Sequence, residues 1–175
     1  MSRLPLLAPL LAVAALLGGC VSYAPSIPDG YTGPRAVIRD TALSHSGSKV
    51  DYFYVAKING ASIEESRTKS VMANQGRGFM MDPVLLDREV PAGSAIKLEL
   101  VGRTEYAAPI LALTNAVYQV KGEITITPAE DRTYAVKGVL GEDYSAVWLE
   151  DTATREVVGE KIEVKGSAKL GFWSK

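Results

Sequence analysis

Cysteine and histidine are almost missing from this chain: its 175 residues hold one of each, Cys20 and His45. A single cysteine closes no disulfide within the chain, so the fold rests on packing and hydrogen bonds. One histidine without a free pair of thiols cannot complete a zinc site. Asp-rich calcium loops of the EF-hand type are absent. We expect no metal and no cofactor. An excess of charge of one sign is also lacking, with 19 lysines and arginines against 20 aspartates and glutamates and a net charge of −1. The two signs are interspersed, and no basic cluster of the kind that holds nucleic acid is present. There is no Gly-x-Ser-x-Gly elbow, no Ser-Asp-Asn and no Lys-Thr-Gly. Ser46 and Lys49, and Ser66 and Lys69, have Ser-x-x-Lys spacing, which arises by chance in a chain of this composition. His45 lies in Ser44-His45-Ser46-Gly47 and reads as a solvated loop residue. Gly76-Arg77-Gly78 lacks the preceding strand and following helix of a phosphate loop. With so thin a catalytic inventory, the chain is not expected to be an enzyme.

Long apolar runs are scarce too, and only one stands out, at residues 4–17 after the early charge of Arg3. It is short for a membrane span and is interrupted by Pro5 and Pro9. A basic start, a short apolar segment and then small residues make the layout of a secretory signal. The segment ends in Leu17-Gly18-Gly19-Cys20, which resembles the lipobox of bacterial lipoproteins. That resemblance implies that residues 1–19 are a signal peptide and that Cys20 becomes the acylated, palmitate-bearing N-terminus. Two or more acyl chains anchor a protein stably, at about 0.8 kcal/mol per buried methylene. An Asp after the cysteine is the usual inner-membrane retention signal in such proteins. Val21 stands there instead, which implies the outer membrane, if the host has one, with the domain in the periplasm. The expected partners are the membrane, through the lipid, and a protein of the envelope.

Beyond Cys20 the chain divides by composition. Residues 20–34 carry three prolines and two glycines and read as a flexible tether spanning roughly 40 Å when extended. Residues 35–164 read as one β domain, and residues 165–175 as a loose tail whose Phe172 and Trp173 can pack back on it. Residues 41–49 read as a loop. In residues 50–58, Val50, Tyr52, Tyr54, Ala56 and Ile58 share one face. Both faces of this stretch are apolar at mid-strand, so it belongs at a sheet centre. Asn59-Gly60 marks a tight turn. Ser62 and Glu65 have capping-box spacing for a helix over 63–74. Residues 79–90 read as a bent edge strand around Pro83. Ile96, Leu98 and Leu100 alternate with Lys97 and Glu99. Residues 106–118 are almost uniformly apolar and read as a buried crossing, a short helix over 110–116, or a strand pair. Four further strands follow, separated by polar turns at 128–132, 141–143 and 151–155. Closely spaced strands of this kind predict a mainly β fold. Its form is an antiparallel β-sandwich of about seven or eight strands with at most one or two short helices.

Two surfaces offer binding chemistry. Arg67, Asn74, Gln75, Arg77 and Phe79 combine guanidinium groups, amides and an aromatic ring among glycines. Residues 107–117 are apolar enough to mark a contact if exposed, although a core position suits them better. The stretch from Phe53 through Asn59-Gly60, Pro91-Ala92-Gly93, and Val147-Trp148-Leu149-Glu150-Asp151 give the chain a resemblance to small bacterial envelope lipoproteins with a β-sandwich domain and no assigned activity. The resemblance carries over no functional residue. The expected role is therefore a lipid-anchored, non-catalytic envelope protein that binds a partner or supports the envelope. Two alternatives stand beside it. One is an envelope hydrolase acting on peptidoglycan or a small ester, with His45 or Lys69 beside a serine. The other is a small-ligand carrier with residues 107–117 lining its cavity.

Overall fold

The structure is a computed structural model that describes residues 22–175. Residues 1–21, with the expected signal segment, Cys20 and Val21, lie outside the described residues. In chain order the first strands are β1 (Arg35–Arg39), β2 (Thr41–Ser46), β3 (Lys49–Ile58) and β4 (Ala61–Ser62). Helix α1 (Ser66–Ala73) precedes β5 (Asp87–Pro91) and β6 (Ile96–Tyr106), and α2 (Pro109–Thr114) follows them. The chain then runs through β7 (Gln119–Ile126), β8 (Thr133–Val139), β9 (Tyr144–Asp151) and β10 (Val157–Lys165).

One sheet has the order β10-β9-β8-β1-β5, and the other β2-β3-β6-β7 with β4 beside β3. The architecture is thus a mainly β, two-sheet sandwich, as the alternation predicts. Pairing is antiparallel except between β1 and β8, which run parallel. There are ten strands among the described residues. The surplus over the sequence reading comes partly from residues 41–46. Their Ser- and Thr-rich sequence reads as loop, yet β3 recruits them as its neighbour. Pairing overrides a weak intrinsic preference.

The main core lies between the sheets. Ile96, Leu98 and Leu100 of β6 and Val120, Ile124 and Ile126 of β7 meet Tyr134 and Val136 of β8 and Val147 and Leu149 of β9. Phe53 and Val55 of β3 enter the same core. The even-numbered residues Val50, Tyr52 and Tyr54 point the other way, into a second cluster with Met81 and Val101. A register shift between Val55 and Lys57 corrects the expected pattern. The extra residue moves Ile58 from the Tyr52 face to the inter-sheet core, since one added residue reverses every later side chain. Beyond it, Asn59 (φ 50°) and Gly60 (φ 82°) are both left-handed. They join β3 to β4 as the two-residue turn their sequence predicts.

Other expectations need correction. Helix α1 starts at Ser66 instead of Ile63, because Ser62 pairs in β4 and Glu65 is itself the cap, accepting the Thr68 N–H. Residues 79–86 form no strand, and β5 begins only at Asp87. The 106–118 stretch resolves into α2, none of whose residues is buried. Residues 22–34 lie along the domain: Ala24 donates its N–H to Ser62 O at 2.8 Å, and Pro34 O accepts from Ala92 at 2.8 Å. The tail is held as well, through Gln119 N–H to Ala168 O and Leu170 N–H to Val117 O. Phe172 and Trp173 do not pack back; Trp173 is 94% exposed.

Candidate functional site

The second cluster exists because β3 is apolar on both faces. Its outward face needs a cover, and α1 with the segment after it supplies one. What fixes that cover is Asp40, between β1 and β2 and 2% exposed. Its carboxylate accepts from the Val55 N–H, freed where the register shifts, and from the N–H and hydroxyl of Ser66 at the start of α1. Arg88 of β5 closes a two-pronged pair with it, at 2.5 and 2.6 Å. One buried carboxylate therefore ties the shifted strand, the helix start and the facing sheet together.

Along α1, Ser66, Ser70 and Asn74 recur every fourth residue and share one face. Each bonds the irregular segment that follows. Ser66 Oγ accepts from Leu86 N–H, Ser70 Oγ from Val84 N–H, and Asn74 Oδ1 from Asp82 N–H, at 2.8, 2.8 and 3.0 Å. Asn74 Nδ2 also donates to Asp82 O at 2.8 Å. This ladder replaces strand pairing for residues 82–86. It also occupies Ser66, whose hydroxyl donates to Asp40 while Lys69 pairs with Glu64. We predict that Asn74→Ala destabilises the domain by about 2–3 kcal/mol, because buried backbone groups lose their partners. Hydrogen exchange should show lost protection at Asp82 and Val84 first. Unchanged exchange there would mean that the ladder does not hold the segment.

Beside this cover lies a cleft of about 610 Å³ between α1 and α2. Arg67, Val71, Asn74 and Gln75 form one wall. Its floor is the end of β6, with Arg103, Glu105 and Tyr106, and Ala107, Pro109, Ala112 and Leu113 close the far side. Lys175 completes it, its ammonium donating to Asn115 O at 2.7 Å.

The charges are uneven. Arg67 Nε donates to Glu105 at 2.5 Å. Burial pulls the Arg67 guanidinium down, but Glu105, Tyr54 and Glu65 outweigh it and hold it above its ordinary value. Among the described residues, Arg103 has no acid partner. It donates to the neutral Gln119 Oε1 at 2.6 Å, and its Nε is buried with no hydrogen-bond partner. Burial, and then the charge of Arg67, holds it below the usual arginine range. Close by, the Tyr52 hydroxyl is also without a partner. It faces Ser70, whose hydroxyl is already engaged with Ser66 O and Val84 N–H. Burial raises the pKa of both Tyr52 and Tyr54.

Of the residues singled out from sequence, Arg67, Asn74 and Gln75 meet at this cleft, and the 107–117 stretch forms its opposite side. Arg77 does not line it; its guanidinium bonds Asn74 Oδ1 and Asp82 at 2.8 and 2.7 Å. Phe79 is 60% exposed and also stands apart from the lining. The sequence reading missed Arg103, Glu105 and Lys175. A visible signal existed for the first two, since opposite charges two residues apart on a long strand occupy one face. Cys20 lies outside the described residues.

His45 sits on β2, not in a loop, with Nε2 2.7 Å from Asp51 Oδ2. Asp51 is buried and also accepts from the Thr104 hydroxyl at 2.6 Å. Ser46 and Ser48 face each other at 3.3 Å. Among the described residues, no group of three or more His, Cys, Asp or Glu is placed to hold a metal. Comparison with protein-family models, curated proteins and solved structures finds no match to this chain.

Proposed function

We propose that this chain is a lipid-anchored protein of the cell envelope whose domain works by binding. The anchor rests on Leu17-Gly18-Gly19-Cys20 and the apolar segment before it. The binding role is carried by one observation, the cleft in which a polar helix wall and an apolar helix wall converge on an arginine without an acid partner. Concave sites with apolar walls and a few oriented polar groups are the usual form of a ligand site.

The path of residues 22–34 adds a geometric consequence. Ala24 is already bonded to β4, so only residues 21–23 separate Cys20 from the domain. Four extended residue steps span about 14 Å. In this reading the domain stays close to the membrane that holds its lipid, the outer membrane if the host has one, and is not at the end of a long arm. A second reading, an envelope hydrolase, draws on the His45–Asp51 pair, which supplies a base and the acid that orients it. Among the described residues, the hydrogen bond recorded for the His45 ring goes to Asp51 and not to a serine hydroxyl.

Cys20→Ser should accumulate as an unprocessed precursor that takes up no labelled palmitate. Normal labelling would overturn the anchor. A photo-crosslinker at Gln75, in the cleft wall, should capture a bound species in intact cells, whereas one at Trp173, 94% exposed, should not. Equal capture at both positions would remove the cleft from the account.

A further inference from the structure

We propose that the cleft between α1 and α2 binds a free single-chain anionic amphiphile, an acyl chain ending in a carboxylate or a phosphate. This rests on the binding reading above and specifies its ligand. Two features of the cleft converge on that class.

The first is charge. Arg67 and Arg103 line the cleft, and Glu105 is the only acidic side chain among the lining residues. Glu105 is already taken by Arg67 at 2.5 Å. Arg103, which lines the cleft, therefore has an amide as its hydrogen-bond partner among the described residues, and its buried Nε–H has none. A buried donor without an acceptor costs about 1–3 kcal/mol, and more when charged. An anionic oxygen in the cleft would give the Arg103 guanidinium the charged partner it lacks among the described residues and offset the repulsion between the two guanidiniums. Arginine's planar array of donors suits both carboxylate and phosphate oxygens.

The second is the character of the remaining surface. Val71, Met81, Ala107, Pro109, Ala112 and Leu113 are aliphatic or thioether groups. Tyr106 is the one aromatic residue in the lining, and its hydroxyl is spent on Ala116 O at 3.0 Å. A flat ring or a sugar would want aromatic faces to stack on. An acyl chain wants apolar wall alone, and burying it contributes about 0.8 kcal/mol per methylene. The volume of about 610 Å³ falls in the range of sites that enclose a ligand of this size. A chain laid between two helices is a monomer taken from solution, which distinguishes this proposal from contact with a lipid surface.

The test uses the full-length protein and isothermal titration below the micelle concentration of each probe. Dodecanoate and dodecyl phosphate should both bind. Acetate and inorganic phosphate, which carry the head without the chain, should bind at least about a hundredfold more weakly, and dodecyl maltoside, which lacks the charge, at least about tenfold more weakly. Arg103→Gln should weaken dodecanoate at least about tenfold, while Arg103→Lys keeps part of the affinity. Leu113→Glu, at a half-exposed position of α2, should weaken it as much without lowering the thermal midpoint. Equal binding of dodecanoate and dodecyl maltoside, or affinity unchanged in both Arg103→Gln and Leu113→Glu, would overturn the proposal. Dodecanoate that partitions only into phosphatidylcholine vesicles, and not onto the protein, would overturn it as well. If it fails while Gln75 still captures a species in cells, the ligand class falls and the binding reading stands. If both fail, the cleft is not a site.

Discussion

Asp40→Ala should lower stability by about 3–5 kcal/mol, the cost of leaving a buried charge without its partner. That is a large part of the 5–15 kcal/mol that holds a domain of this kind. Arg88, whose side chain is only 7% exposed, would keep its charge in a site built for a pair. The Val55 N–H and the Ser66 N–H would lose their acceptor too. Adding Arg88→Met should return part of the loss, because an apolar pair is tolerated better than half an ion pair. Recovery should be incomplete, since the two backbone donors stay unmatched. Chemical denaturation of the single and double variants measures both quantities. A double variant as unstable as Asp40→Ala would show that the Arg88 charge is not what the carboxylate offsets. The same substitution frees the start of α1, so affinity at the cleft should fall with stability.

The second large effect is expected at Phe53, whose ring crosses the core between the sheets. Phe53 pairs with Gly102 across β3 and β6, and a Cβ on Gly102 would stand 3.1 Å from the ring. A Cβ on Gly138, in β8 of the facing sheet, would fall inside the contact surface of the same ring. Two glycines thus leave the room that one aromatic side chain fills. Phe53→Ala should cost about 3–5 kcal/mol through the cavity it opens. Gly138→Ala should cost about 1–3 kcal/mol through overpacking. Together they should cost less than their sum, by about 1 kcal/mol or more, because the new methyl enters the space the ring vacates. The Ala146 carbonyl, 2.6 Å from the same Cβ position, keeps that relief partial. Strict additivity in a double-mutant cycle would mean that the ring and Gly138 do not meet.

Strand positions were legible in the sequence wherever one face meets the core and the other meets water. Ile96, Leu98 and Leu100, and Val120, Ile124 and Ile126, alternate because each strand decides inside and outside locally. The Asn59-Gly60 turn was legible for the same reason, as two adjacent residues able to adopt left-handed conformation. Thr41–Ser46 was not legible, because an exposed edge strand is defined by its neighbour and not by its own pattern. The cap of α1 was misassigned from a motif that two positions satisfy: Ser62 has the right spacing, but β4 claims it. Half of the candidate site was visible as chemistry, in Arg67, Asn74 and Gln75. The other half, Arg103 and Glu105, reads in isolation as the polar face of a strand.

By itself, the sequence determined the fold class of this protein: short alternating strands, polar turns and no cysteine pair. These are properties of neighbours along the chain, set by a period of two and by the turn chemistry between strands. Only the tertiary structure decided where the cleft lies. It needed the register of β3 on β6 to set Arg103 opposite Tyr52, and α1 pinned by Asp40 to bring Arg67 above them. It also needed α2 left unburied to close the far wall. No local pattern encodes those distances, because they are fixed by buried hydrogen bonds between residues far apart in the chain.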